Sequence, residues 1–137
     1  LYDELQRIKQ EKLGDQLILM NWQPYEKIPQ LIADSDICIL PAHNNEIMQN
    51  IVPIKLYEYM AMEKPVIATS LPGLMKEFGE QNGVLYVDSP HQVLEKATQI
   101  ASTQMISDEG AKARKFVEQN DWDTITNDFE HILNGLI

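Results

Sequence analysis

Apolar residues fall into short continuous runs separated by stretches with helical spacing. The runs at residues 16–20 (QLILM), 36–40 (DICIL), 65–69 (PVIAT) and 83–87 (GVLYV) have strand length. Because they are continuous rather than alternating, they predict strands covered on both faces, as in a parallel sheet. Between them lie helical patterns. Leu1, Leu5 and Ile8 share one face, with Gly14 as the stop; Tyr25, Ile28, Leu31 and Ile32 form a second stripe; Pro53 opens a third helix running to about Met62.

After the fourth run the pattern is wholly helical. Ser89 supplies an N-cap, Pro90 a first helical position and Gln92 a capping-box side chain. Val93, Leu94, Ala97, Ile100 and Ala101 then predict one apolar face. Ser107, Asp108 and Glu109 predict the start of a further helix. Asp121 caps a last one that carries Trp122, Ile125, Phe129, Ile132 and Leu133 at helical spacing. No repeat, linker or low-complexity segment interrupts this order. Alternating βα units predict an α/β fold built on a doubly wound parallel sheet.

Composition narrows the possible partners. A chain of 137 residues, 44% hydrophobic, fits one domain and can bury a core without a staple. Twenty-one acidic residues against 11 basic give a formal charge of −10, spread along the chain. This is a solvated acidic surface, unlike the basic footprint of a nucleic-acid binder or of a face for anionic lipid. Cys38 is the single cysteine, which rules out an intrachain disulfide and a four-cysteine zinc site. Its apolar run predicts a buried thiol. No His/Cys/Asp spacing suggests a metal. No membrane span or signal peptide is visible. The chain begins at Leu1 inside a helical pattern, which reads as a piece of a longer protein, a single partial domain over residues 1–137.

In open α/β sheets, ligands bind beyond the C-terminal ends of the strands and against helix N-termini. That points to residues 41–58. Residues 41–52 (PAHNNEIMQNIV) are the longest strand-to-helix connection, and their polar half has no apolar periodicity to bury it. In the helix after Pro53, Glu58 has Ile54 and Met62 four residues away on either side and Ala61 three residues on. A carboxylate in such surroundings is costly unless it is paired or hydrogen-bonded. Two readings stand: an ion pair with Lys55, or a carboxylate that accepts bonds from a ligand's hydroxyls. Lys55 lies in the first turn of that helix, where the macrodipole disfavours a cation. A diphosphate bound there would reverse that preference.

Residues 53–69 (PIKLYEYMAMEKPVIAT) resemble the donor-site signature of the glycosyltransferases of group 1 (family 4 type, GT-B fold). The stretches Asn21-Trp22-Gln23-Pro24, Ile28-Pro29-Gln30-Leu31-Ile32 and Ser35 to Pro41 resemble the approach to that site. Leu71-Pro72-Gly73, Glu77 and Asn82-Gly83-Val84-Leu85 resemble the segment after it, and the Trp122 helix is similar to the family's C-terminal end. The resemblance implies the Rossmann-like C-terminal half of a GT-B fold, which binds a nucleotide-diphosphate sugar and needs no other cofactor. An N-terminal half would supply the acceptor, a glycan or a lipid-linked sugar. Glu58 matches the second glutamate of the family's Glu, seven residues, Glu motif, implied to bond the donor's ribose hydroxyls. Backbone amides at Asn50, Ile51, Val52 and Pro53's approach, together with Lys55, are implied to meet the diphosphate. A cytoplasmic enzyme of polysaccharide or glycoconjugate biosynthesis, peripheral at the inner membrane face in its full length, would follow.

The sequence departs from that signature at the first glutamate, where Asn50 stands. Asn can hydrogen-bond a sugar hydroxyl or phosphate but carries no charge. Glu46 is the nearest acid, so Glu46 and Asn50 are the candidates for the catalytic position. The resemblance also implies a domain that begins with strands ahead of Leu1, which predicts an incomplete sheet, an assembly that fills the gap, or a different pairing for residues 16–20. His43, in the loop, and Trp22, after the first run, are further candidates to touch the donor. His91 and His131 read as surface residues, and Gly73 as a turn residue. Two other functions fit the same pattern: a GT-B nucleotide-sugar epimerase without a separate acceptor, and a non-catalytic α/β interaction module.

Overall fold

The computed structural model describes residues 2–136. Three parallel strands, β1 (Cys38–Leu40), β2 (Val66–Thr69) and β3 (Val84–Val87), form one sheet in the order β1-β2-β3. Seven α-helices among the described residues accompany them: α1 (Tyr2–Ile8), α2 (Ile28–Ala33), α3 (Ile54–Ala61), α4 (Pro72–Phe78), α5 (Val93–Ile100), α6 (Thr103–Val117) and α7 (Trp122–Asn134). This is an α/β, Rossmann-like fold. No helix among the described residues is long and apolar enough to cross a membrane.

β2 is buried along its whole length, and its alternate side chains feed two cores. Val66 and Ala68 join Leu56 and Met60 of α3, Leu74 and Phe78 of α4, and Ala113 of α6 on one face. Ile67 joins Val87, Ile100 and the half-buried Leu85, Val93 and Ala97 on the other, so α5 covers that face. For β2 and β3 the continuous runs therefore have the meaning the pattern gave them: helices lie on both sides of these strands. Cys38 belongs to the first core, and burial pushes its thiol up to about 11 against a smaller opposing pull from Lys64.

Residues 16–20 do not form a strand. Residues 14–16 make a single 3-10 turn and residues 17–24 have no regular structure, with Ile18 and Met20 exposed. A strand persists only where its N–H and C=O groups find a ladder, and none of the three strands pairs with this run. β1 lies at the edge of the three-stranded sheet, with Ile39 half uncovered. The helical stretch before it does stop at Gly14, which adopts φ 51 and donates its N–H to Lys9 O. Leu1, assigned to the apolar face of that stretch, lies outside the described residues.

Three helical expectations need correction. α6 begins at Ser102, not Ser107, because the Ser102 hydroxyl already accepts from Met105 N at 3.3 Å; Ser107 to Glu109 fall inside the helix. On α5, Leu94 is exposed, and only Val93, Ala97 and Ile100 reach the sheet. The stripe on α7, Trp122, Ile125, Phe129, Ile132 and Leu133, is exposed throughout. Its spacing is that of an amphipathic helix, but none of the five joins either core; Trp122 and Ile125 only border a hollow with Val52, Ile54 and Tyr57. The capping box at Ser89 and Gln92 and the Asp121 cap both form, the latter holding the Asp121 carboxyl below its usual range through the Thr124 N–H.

α6 sits close to the end of α3. Arg114 Nη1 donates to Ala61 O at 2.6 Å, which satisfies a carbonyl of the last turn. A Cβ on Gly110 would overlap Glu63 O, a backbone atom that cannot swing aside. Replacing Gly110 with Ala would raise helix propensity by up to ~1 kcal/mol, but the clash should dominate. We expect Gly110→Ala to destabilise the fold by about 2 kcal/mol net, read as a Tm lower by roughly 5–10 °C in thermal unfolding. An unchanged Tm would contradict the close packing.

Candidate functional site

The connection from β1 to α3 is long but not loose. Ala42 N donates to Thr69 Oγ1 at 3.0 Å, which ties the first part of the loop to the C-terminal end of β2. Thr69 is 1% exposed, so the accepting hydroxyl is buried and the bond half-buried. Asn45 Oδ1 accepts from Met48 N at 2.9 Å, an Asx-type bond that starts the 3-10 turn Met48–Asn50, and Met48 packs against the core. Asn44 Oδ1 takes a bond from Gln49 Nε2 at 2.9 Å. The three polar residues at 44, 45 and 49 thus fold the loop back on itself.

Gly73 completes the arrangement and is not a turn residue. It lies in α4, and a Cβ there would stand 2.8 Å from Gln49 O and 3.2 Å from the Asn50 backbone. The glycine lets α4 press directly on the turn that presents Asn50. After that turn, Ile51 and Val52 are exposed, and Pro53 adopts an extended ψ of 130 before α3 begins. No side chain caps α3 and no acid lies in its first turn. Its leading N–H groups remain available to an anion, as at other uncapped helix starts.

α3 is held on three sides. Leu56 and Met60 are fully buried against the sheet. Tyr57 turns toward α4, where its ring meets Phe78 at 5.0 Å between centroids and its hydroxyl donates to Glu77 Oε1. Burial, and then the Glu77 carboxylate, push the Tyr57 phenol up to about 12. Glu58 turns the other way, toward α2. It lines a cavity of about 180 Å³ with Tyr25, Ile28, Pro29, Ile32, Ala61 and Met62. The two ion pairs among the described residues, Lys112–Glu109 and Arg114–Glu118, both involve α6. The Lys55–Glu58 pair is therefore not formed, and the Glu58 carboxylate instead accepts a 3.5 Å bond from the Tyr25 hydroxyl.

The structure brings Asn50, Ile51, Val52, Pro53 and Lys55 together at the start of α3, with Glu58 one turn further along. Lys55 is exposed there. Glu46 is exposed in the turn preceding residues 48–50, and His43 is exposed at the loop's beginning. Trp22 is 85% exposed and does not line the hollow that holds Glu58. The pattern missed Tyr25, which it assigned to the stripe of α2. Tyr25 sits in a 3-10 turn (Tyr25–Lys27) ahead of that helix, and a chain contact across 33 positions has no local signal.

The sequence matches the glycosyl transferases group 1 family over residues 2–103, more than half of the chain. The chain belongs to that family. Its chemistry at this level is glycosyl transfer from a sugar donor to an acceptor. The match spans all three strands, the loop and α3 of this glycosyltransferase domain, and it ends at the first residue of α6, so α7 lies outside it. No curated protein and no solved structure matches the chain.

If Gly73 sets the position of the Asn50 turn, Gly73→Ala must displace it. We expect shifted amide resonances confined mainly to residues 48–53 and a stability loss of roughly 1–2 kcal/mol. Unchanged resonances in that segment would show that α4 does not fix the loop.

Proposed function

We propose that this chain is the donor-binding half of a glycosyltransferase. It binds a nucleotide-diphosphate sugar, with the amides at Asn50, Ile51, Val52 and the start of α3 meeting the diphosphate. Lys55 adds charge at that end, and Glu58 accepts bonds from the ribose hydroxyls. A second half of the enzyme would bring the acceptor, a glycan or lipid-linked sugar, to the donor.

One observation carries this reading. Glu58 is a carboxylate on an otherwise apolar cavity wall, without an ion-pair partner among the described residues, one helical turn from a bare helix start. Its described protein partner is the Tyr25 hydroxyl at 3.5 Å, which leaves carboxylate lone pairs open to a ligand's hydroxyls. An anion at the helix start and hydroxyl donors at Glu58 satisfy both ends at once. A nucleoside diphosphate offers both groups at that spacing.

The chemistry would be chiefly positioning and charge stabilisation. The departing diphosphate gains from the helix N-terminus, the loop amides and Lys55 as its negative charge develops. Asn50 can donate a hydrogen bond to the donor sugar or phosphate, and Glu46 is the carboxylate nearest in sequence to the catalytic position.

The test is calorimetric titration of the chain with UDP, GDP, ADP and CMP. We expect one diphosphate to bind best and Glu58→Ala to weaken it roughly 10- to 100-fold, the effect of losing charge-assisted hydrogen bonds of ~1.5–3 kcal/mol, with a nearly unchanged Tm. A folded chain that binds none of the four, or a Glu58→Ala variant with lower Tm and unaltered affinity, would contradict the reading.

A further inference from the structure

Among the apolar hollows beside α3, two adjoin the proposed site. One, of about 360 Å³, is lined by Val52, Ile54, Tyr57, Asn120, Trp122 and Ile125 and offers no carboxylate. The other, on the α2 side, carries Glu58 and Tyr25. Only the second can recognise hydroxyl donors and an apolar body together.

Tyr25 has three properties that a purely structural tyrosine lacks. It is 71% exposed, so its ring contributes little to the core. Pro24, extended at ψ 149, and the 3-10 turn fix where it leaves the backbone. Its hydroxyl reaches Glu58 at 3.5 Å, the long limit of an O–H···O bond, where a shorter bond from a ligand hydroxyl would readily replace it. The hollow, about 180 Å³, is of the size that takes a single aromatic ring, for which roughly 150 Å³ suffices.

Resting on the reading of Glu58 as a ribose acceptor, we propose that Tyr25 is the nucleobase-contacting and specificity residue of the donor site, its ring lying against the base while its hydroxyl yields Glu58 to the ribose. The flat face of Tyr25 and the adjoining Pro29 and Ile28 form the apolar wall, and the exposed side of the ring leaves the base edge open to solvent. Stacking on an aromatic ring is open to every base, so the single-ring size of the hollow sets the preference among them. Trp22, the aromatic residue that the sequence put forward, does not line this hollow.

The experiment measures UDP, GDP, ADP and ribose 5-phosphate binding to the chain and to Tyr25→Ala, Tyr25→Phe and Glu58→Ala, with circular dichroism confirming that each variant folds. We expect Tyr25→Ala to weaken the best nucleoside diphosphate about 10-fold, to narrow the spread among the three, and to leave ribose 5-phosphate within about twofold. Tyr25→Phe should retain the affinity, and Glu58→Ala should weaken both kinds of probe. If Tyr25→Ala alters neither affinity nor ranking while Glu58→Ala weakens both probes, the role of Tyr25 falls and that of Glu58 stands. If Tyr25→Phe loses as much as Tyr25→Ala, or Tyr25→Ala weakens ribose 5-phosphate equally, Tyr25 acts through its hydroxyl on Glu58 and the base contact is overturned. If Glu58→Ala changes nothing, both assignments fall. Should Tyr25→Ala unfold, Tyr25→Leu keeps the apolar bulk without the ring and is read the same way.

Discussion

A buried hydroxyl ties the site to the sheet. Thr69, the last residue of β2, accepts the Ala42 N–H from the beginning of the β1–α3 loop. Among the described strands, β2 alone has a parallel partner on both sides, so its C-terminal end is the best-fixed point of the sheet. Through Thr69 that fixity passes to the loop. Without this bond a half-buried N–H would lack its protein partner and the loop would lose its first anchor.

The rest of the site depends on close backbone approaches. Gly73 lets α4 touch the Asn50 turn, and Gly110 lets α6 touch the Glu63 turn after α3. Arg114 satisfies the Ala61 carbonyl at the C-terminal end of α3, while no side chain caps its N-terminal amides. The helix is held at its far end and open at the end where the proposed ligand would sit. Such placement is rigid where positioning matters and costs little reorganisation on binding. Lys64 extends the same framework by donating from the entry of β2 to Ala33 O at the end of α2, which sets α2 and the Tyr25 turn against α3.

Much of this is readable in the sequence, and for physical reasons. The runs at 36–40, 65–69 and 83–87 become strands because each pairs with a neighbour and is covered on at least one face. The run at 16–20 is just as apolar and fails, because apolarity alone does not supply a ladder. The α7 stripe has regular helical spacing, yet periodicity cannot say whether a surface exists to receive it. At the site, Glu58 stands out as a carboxylate among apolar neighbours on one helix, a local signal. Its contact with Tyr25, the pressure of Gly73 on Asn50 and the Thr69 anchor join segments about 20 to 33 positions apart, and no local pattern encodes them.

In the proposed site, the end of the β1–α3 loop, the start of α3 and the Glu58–Tyr25 hollow act together on one ligand. Hydrogen exchange of the chain with and without saturating nucleoside diphosphate tests this most directly. Slowed exchange at residues 50–58, accompanied by residues 25–32 and little change on α5 or α7, is the predicted result. Protection elsewhere, or in only one of those two segments, would contradict it.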